Sequence, residues 1–425
     1  MNIVELYEIY TLYPSVQTDT RKLKKGDLFF ALKGPNFNAN AFAETALANG
    51  AEYAIIDDAA YAHLARTILV EDTLQTLQAL ALYHRNQFNI PFIAITGSNG
   101  KTTTKELIHA ALSAVYITYT TEGNLNNHIG VPLTILRIRK DAQMAIIEMG
   151  ANHLGEIAGY CAYTLPTHGL ITNCGKAHLE GFGSYENIKK GKGELYDHLR
   201  NNQGTAFAMW DYDYLRDMIK GIAQVVTYGT RDADTEGDVL SSEPFLQVRI
   251  GKGDSSYTIN TQLVGSYNLP NILAAVALGQ YFKVPELQVV SAIQAYAPSN
   301  SRSQLVEKNG NTIILDAYNA NPSSMKAAIE NFEQLSAGDK ILALGAMAEL
   351  GEESLEEHKN IIRLIQQSSW KEVILVGGDF LKLSSPFKTF ENAVEAGKWL
   401  RSQAFTHAHI LVKGSRSMQM EKVIE

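Results

Sequence analysis

The sequence predicts an α/β protein of three units, the central one built on a mostly parallel sheet. Three observations carry this. The chain has 425 residues, enough for about three separate cores. Beyond residue 92, short apolar runs alternate with helical stretches, the order that yields parallel sheets with helices on both faces. Within that region Phe92 to Glu106, FIAITGSNGKTTTKE, reads as a buried strand, a tight glycine turn and the start of a helix.

The first unit is expected over 1–83. Leu28 to Leu32 reads as a strand, and Gly26-Asp27 as the turn before it. Phe42 to Asn49 has helical spacing and stops at Gly50. Ala54 to Ile56 is the next strand. Leu74 to Tyr83 is an amphipathic helix leading towards the glycine turn.

The central unit is expected over 84–297. Its strands are Phe92 to Ile95, Ala145 to Met149, Leu170 to Thr172, Ala206 to Met209 and Val225 to Tyr228. Phe245 to Ile250 and Ser256 to Thr261 flank Gly251-Lys252-Gly253-Asp254 as a hairpin, and Leu269 to Phe282 is a helix. The third unit, over 298–425, has strands at Thr312 to Leu315, Ile341 to Leu344, Val373 to Val376 and Ile410 to Val412. Helices are expected between them at Ser323 to Leu335, Ser354 to Gln367 and Glu391 to Ser402.

A formal net charge of −8 disfavours general binding to nucleic acid or to an anionic membrane. No segment approaches the ~20 apolar residues of a membrane span. The opening MNIVELYEIY lacks a basic region followed by an apolar run, so no signal peptide is expected. The two cysteines, Cys161 and Cys174, match no metal spacing and suit a reducing cytoplasm as structural residues. A cytoplasmic monomer is the expectation.

The turn Gly97, Ser98, Asn99, Gly100 followed by Lys101, Thr102 and Thr103 is a phosphate cradle. Its amides and the helix N-terminus favour an anion, Lys101 reaches outer phosphates, and the Thr102 hydroxyl suits Mg²⁺. The T-G-x-x-G-K-T spacing is shorter than the common phosphate loop, because Ile95 stands where its first glycine falls. Parallel sheets bind ligands beyond their strands' carboxyl ends, where this loop, Glu148 and Asn173 all fall. Glu148 is either a Mg²⁺ ligand or a surface carboxylate, and the upstream loop favours the former. His178 follows a strand end and a glycine, but imidazole is not a typical Mg²⁺ ligand. His109, His198 and His358 lie in helical stretches and look incidental. Spacing does not separate Lys192 from Lys189 or Lys190, in a lysine run near a helix start that is ordinarily a solvated face.

Several segments together resemble the Mur ligases: TGSNGKTTTKE, TEGNLNNHIGVPLTIL, EMGANHLGEIA, NCGKAHLEGFGSYENIKKGKGEL, GSYNLPNILAA, LDAYNANPSSMKAAI, LGAMAELGEES and VKGSRSM. They run in family order from about Thr18 to Met418. GNLNN, DAYNANP and LGxMxELG are most similar to the members that add D-alanyl-D-alanine to UDP-N-acetylmuramoyl-tripeptide, the last cytoplasmic step in making the peptidoglycan precursor. The resemblance implies a UDP-sugar-nucleotide domain, a central ATP-binding domain and a C-terminal Rossmann-like domain. It also implies ligation through an acyl phosphate, with ATP, two Mg²⁺ ions and a CO₂-derived carbamate on Lys192.

By that resemblance Thr102 and Glu148 hold one Mg²⁺, and Glu148, His178 and the Lys192 carbamate the second. Asn268 and Asn271 match the adenine-side motif, with helix capping as the bland reading of Asn268. Arg302 matches the arginine that meets the γ-phosphate, and Asp316 the ribose-side acid. Thr20 and Arg21, after Asp19, match the uridine diphosphate motif, since a guanidinium suits a diphosphate. Asn126 and Asn127 match a segment meeting the sugar nucleotide. Asn319, Asn321 and the turn Lys413-Gly414-Ser415-Arg416 are weaker candidates near the dipeptide and domain closure. The sequence departs from the family at Asn38-Ala39-Asn40, often DGH, at Leu315, often an acid, and at Ala346, often Asp. Folylpolyglutamate synthase shares the loop, but DAYNANP and GNLNNHIGVP have no counterpart there. A nucleotide-binding protein without catalysis is opposed by the intact Lys101, Thr102, Glu148, His178 and Lys192.

Overall fold

A computed structural model describes residues 1–299 and 301–425. Three main sheets organise it. The first is parallel, in the order Val16–Gln17, Leu28–Phe30, Tyr53–Ile56, Thr67–Leu69. Strand periodicity splits its side chains between two layers. Phe29, Ala54 and Ile56 pack with Ala43 and Ala46 of the helix Ala43–Ala48. Leu28, Phe30 and Ile55 face the main core, which includes Leu6 and Tyr10 of the helix Ile3–Leu12.

The helix Thr73–Arg85 joins this sheet to the central unit. Its last residue, Arg85, is buried and donates from Nε to the Thr164 carbonyl and from Nη2 to that of Leu165. The guanidinium also lies 3.8 Å from the centroid of the Phe92 ring, so the buried charge is both hydrogen-bonded and stacked.

The central sheet has nine strands, ordered Tyr257–Asn260, Gln247–Ile250, Thr235–Ser241, Gln224–Gly229, Thr205–Met209, His168–Ile171, Phe92–Thr96, Met144–Glu148, Thr118–Thr120. Neighbours from Thr235–Ser241 to Thr118–Thr120 are parallel, and the remaining two pairings are antiparallel. The expected hairpin is therefore present as the edge of the large sheet. Every residue of Phe92–Thr96 and Met144–Glu148 is buried, as befits strands covered by helices on both faces. The chain runs from Phe92–Thr96 to one side for Met144–Glu148, then to the other for His168–Ile171. That reversal opens a crevice at the strands' carboxyl ends.

The third sheet runs Gln304–Lys308, Asn311–Asp316, His409–Lys413, Lys340–Gly345, Glu372–Val376, Lys388–Phe390, antiparallel only at its first pair. The helices Pro322–Gln334, Ser354–Ile365 and Ala393–Ser402 accompany it. Among the described residues no helix is long and apolar enough to cross a membrane.

Candidate active site

A cavity of about 700 Å³ lies at the carboxyl ends of the central strands and is walled on its other side by the third unit. Its floor is the turn after Phe92–Thr96. Gly97 has φ +145°, and a Cβ there would fall 2.0 Å from the Thr172 hydroxyl. Gly100 has φ +78°, and its Cβ would fall 2.7 Å from Asn271 Oδ1. Both positions require glycine. The turn is laced to the neighbouring strand end. The Asn99 amide donates to Asn173 Oδ1 at 3.0 Å, and the Thr172 hydroxyl to the Asn99 carbonyl at 2.6 Å. Helix Lys101–Ser113 begins after Gly100 without a side-chain cap, so its leading amides are available to an anion.

Lys101 folds onto its own loop, donating to the Gly97 carbonyl at 2.7 Å. Burial lowers its affinity for a proton, Glu148 opposes that shift, and Arg302 adds to it. Thr102 Oγ1 donates to Glu148 Oε1 at 3.3 Å. Glu148 is 1 % exposed. Its Oε1 also accepts from Asn126 Nδ2 at 2.7 Å, and its backbone amide donates to the Thr121 hydroxyl. Its Oε2 is buried without a hydrogen-bond partner. A buried carboxylate oxygen without a donor is costly unless a cation meets it. Oxygen donors of Thr102 and Glu148 suit a hard ion such as Mg²⁺.

Ser98, Asn99, Thr103, Asn126, Asn127, His178, Asn268 and Asn271 also line the cavity from the central unit. Arg302, Asp316, Asn319, Asn321 and Lys413 line it from the third. Asn268 stands at a helix start but makes no cap. Its Nδ2 donates to the Val264 carbonyl, and its Oδ1 accepts from Asn271 Nδ2 at 2.8 Å. Asn271 Oδ1 accepts from Thr104 at 2.9 Å. Arg302 stacks on Tyr318, 3.5 Å from the ring centroid. Asp316 is held by Lys413 at 2.6 Å. Asn321 Nδ2 crosses to Asn99 Oδ1 at 2.7 Å.

Several placements differ from the simple sequence picture. Lys192 lies midway along the helix Tyr185–Asn201, on its buried face and 1 % exposed, whereas Lys189 is half-buried and Lys190 exposed. It sits behind the cavity wall and donates to the Ala151 carbonyl at 3.0 Å. Burial first, and then the nearby Lys101 charge, push its ammonium down to about 7. His178 Nδ1 meets the Glu349 carboxylate of the third unit, and that contact lowers the Glu349 pKa. Among the described residues no three His, Cys, Asp or Glu side chains form a metal-sized group. Thr20 and Arg21 are away from the cavity. The Arg21 side chain is 87 % exposed and pairs with Asp19 at 2.8 Å. Arg416 pairs with Glu421 outside the cavity.

Other site residues escaped the sequence reading. His358, which looked incidental, is fully buried. It accepts from the Met347 amide at 3.0 Å and faces the Ser354 carbonyl with Nδ1 at 2.7 Å, which fixes the loop carrying Glu349. Tyr212 and Tyr214 stack with centroids 5.6 Å apart and line the cavity. Asn40, at one departure from the family pattern, is buried and donates to Asp57 at 2.7 Å. Ala346 packs so close to Gly378 that a Cβ on the glycine would fall 2.5 Å from its own.

Three family models match the chain: Mur ligase family, catalytic domain, over 13–85; Mur ligase middle domain over 95–279; and Mur ligase, glutamate ligase domain, over 301–416. The UDP-N-acetylmuramoyl-tripeptide–D-alanyl-D-alanine ligase of Bacillus subtilis is 34 % identical, over 98 % of this chain and 93 % of that one. The crystal structure of MurF from Acinetobacter baumannii matches with TM-score 0.86 and 31 % identity, covering 96 % of this chain and 92 % of that one. MurF ligase from Thermotoga maritima in complex with ADP matches with TM-score 0.87 and 27 % identity, covering 97 % and 96 %.

Proposed function

The chain belongs to the Mur ligase family, and from that premise we propose that it joins D-alanyl-D-alanine to UDP-N-acetylmuramoyl-tripeptide while ATP is cleaved to ADP and phosphate. The observation that carries this reading is near-full-length likeness to a ligase of that activity. The cavity agrees with it. A phosphate loop, a buried carboxylate with an unpaired oxygen and an arginine from a second unit converge there.

In the first step a tripeptide carboxylate oxygen attacks the γ-phosphorus of ATP, and ADP leaves. Both reactants are anions, so the site must neutralise their repulsion. Lys101 and the loop amides do so from the central side, and Arg302 from the third unit. Thr102 and Glu148 would hold Mg²⁺, which supplies further positive charge against the phosphate oxygens. Asn126 keeps Glu148 oriented for that task. In the second step the dipeptide amine attacks the acyl carbon, and phosphate leaves with the carboxylate oxygen. The third unit shields the acyl phosphate from water.

Asn268 and Asn271 are assigned to adenine, and Asp316, oriented by Lys413, to ribose. Thr20 and Arg21 are assigned to uridine diphosphate, Asn126 and Asn127 to the sugar-nucleotide side, and Asn319 and Asn321 to the dipeptide side. The domains are taken as 1–83, 84–297 and 298–425, in keeping with the three sheets. Lys192 is assigned the carbamate. Its amine is buried and titrates near neutrality, so a free-base fraction is present to attack CO₂. Carbamylation would also exchange a cation repelled by Lys101 for an anion. A second Mg²⁺ at Glu148, His178 and this carbamate would use His178 Nε2, while Nδ1 keeps its contact with Glu349 and orients the ring. The protein is taken to act as a cytoplasmic monomer.

The test is phosphate release from ATP with UDP-N-acetylmuramoyl-tripeptide and D-alanyl-D-alanine supplied singly and together. Release is expected only with both. Release independent of either substrate contradicts the assignment.

A further inference from the structure

We propose that Lys176 and Glu357 are positioning residues whose ion pair seats the third unit on the phosphate loop and sets how often the cleft is closed. Lys176 follows the central strand His168–Ile171, and Glu357 lies in the first turn of the helix Ser354–Ile365. Their Nζ and Oε1 atoms are 2.6 Å apart across the cleft. Glu357's side chain is only 8 % exposed, and that of Lys176 45 %. A carboxylate buried to that degree is expensive without its cation, so this pair outweighs an ordinary surface pair.

The surrounding contacts show what the pair holds. The Lys176 amide donates to Ser323 Oγ at 3.0 Å, next to the start of the helix Pro322–Gln334. Its neighbour Gly175 lets the surfaces meet. A Cβ there would fall 2.9 Å from Ser323 Oγ and 3.0 Å from Asn99 Nδ2. Two residues before Ser323, Asn321 reaches Asn99 of the phosphate loop. On the other side of the pair, His358 adjoins Glu357 and fixes the loop that brings Glu349 to His178. The ion pair thus stands between two contacts that cross the cleft. Breaking it loosens both and lets the third unit swing away.

The test uses the whole protein with Lys176→Met, Glu357→Gln and the reversed pair Lys176→Glu/Glu357→Lys. Small-angle X-ray scattering of the free protein reports opening without any substrate, so a failure of the ligase assignment leaves this readout intact. Each single variant is expected to have a larger radius of gyration than the parent. The reversed pair is expected to return towards the parent. In the ligase assay, which rests on the proposed function, each single change is expected to lower kcat/KM about three- to tenfold, with recovery in the reversed pair. Unchanged far-ultraviolet circular dichroism identifies the expansion as domain opening. Singles that scatter like the parent, or a reversed pair as expanded as the singles, overturn the proposal.

Discussion

On the central side of the cleft, Thr102, Glu148 and Asn126 meet through side-chain bonds within one unit, beside two strands, Phe92–Thr96 and Met144–Glu148, that are buried end to end. On the opposite side, Arg302, Asp316 and Asn321 come from the third unit, and their distance from the phosphate loop depends on how the units are seated. The central wall is organised before any ligand arrives. The third-unit wall is held by polar contacts between units: Asn321 to Asn99, Lys176 to Glu357 and to Ser323, and Glu349 to His178 at the cleft, with Ser266 to Asn331, Tyr267 to Ser303 and Ser336 to Glu243 beside it. An enzyme that must admit three substrates and then exclude water gains from this asymmetry, because only one wall has to move.

The comparison is broken most severely on the fixed wall. Glu148→Gln removes the charge proposed to meet the cation while keeping the side chain's shape. Turnover is expected to fall by roughly 10³-fold or more, measured as phosphate release at saturating substrates. Loss of less than tenfold would detach Glu148 from the chemistry.

Lys192→Ala comes next, with an expected loss of roughly 10²-fold and partial rescue by short carboxylates such as acetate. The pH dependence has a definite sign. The folded-state pKa of Lys192 is depressed to about 7, so the free amine predominates above that value and disappears as pH falls through it. At fixed dissolved CO₂, activity that depends on the carbamate should decline below about pH 7. Full activity of Lys192→Ala without CO₂ rejects the carbamate.

The movable wall should give the smallest effect. Asn321→Ala removes the neutral bond across the cleft to Asn99 and the cap on the Ser324 amide at the start of the helix Pro322–Gln334, and kcat/KM is expected to fall about threefold to tenfold, chiefly through KM. A kcat loss matching that of Glu148→Gln would erase the distinction between the walls.

Local patterns made the scaffold of the fixed wall legible. The apolar run Phe92 to Ile95, the glycines of the turn and Lys101-Thr102 lie together in the sequence, and each has a local physical signature. Glu148 was legible as a carboxylate at a strand end. Its two oxygens have different surroundings, which only folding reveals, because Asn126 reaches one and nothing reaches the other. Lys192 was illegible among its neighbouring lysines, because burial depends on which face of its helix meets the sheet. The carbamate proposed for it came from family resemblance. The pairs Asp316–Lys413, His178–Glu349 and Lys176–Glu357 join residues far apart in the chain, and a single sequence carries no local signal for them. Two strands left unassigned, Gln304–Lys308 and Lys388–Phe390, are half-buried to exposed sheet edges without the apolar run that marks an interior strand.

The central claim is that the tripeptide carboxylate is activated by phosphorylation in this cleft. It is tested most directly by labelling that carboxylate with oxygen-18 and running the ligation with ATP and D-alanyl-D-alanine. Mass spectrometry of the released phosphate should find one labelled oxygen for each amide bond formed. Unlabelled phosphate accompanying amide formation would contradict an acyl phosphate, and with it the function assigned to this site.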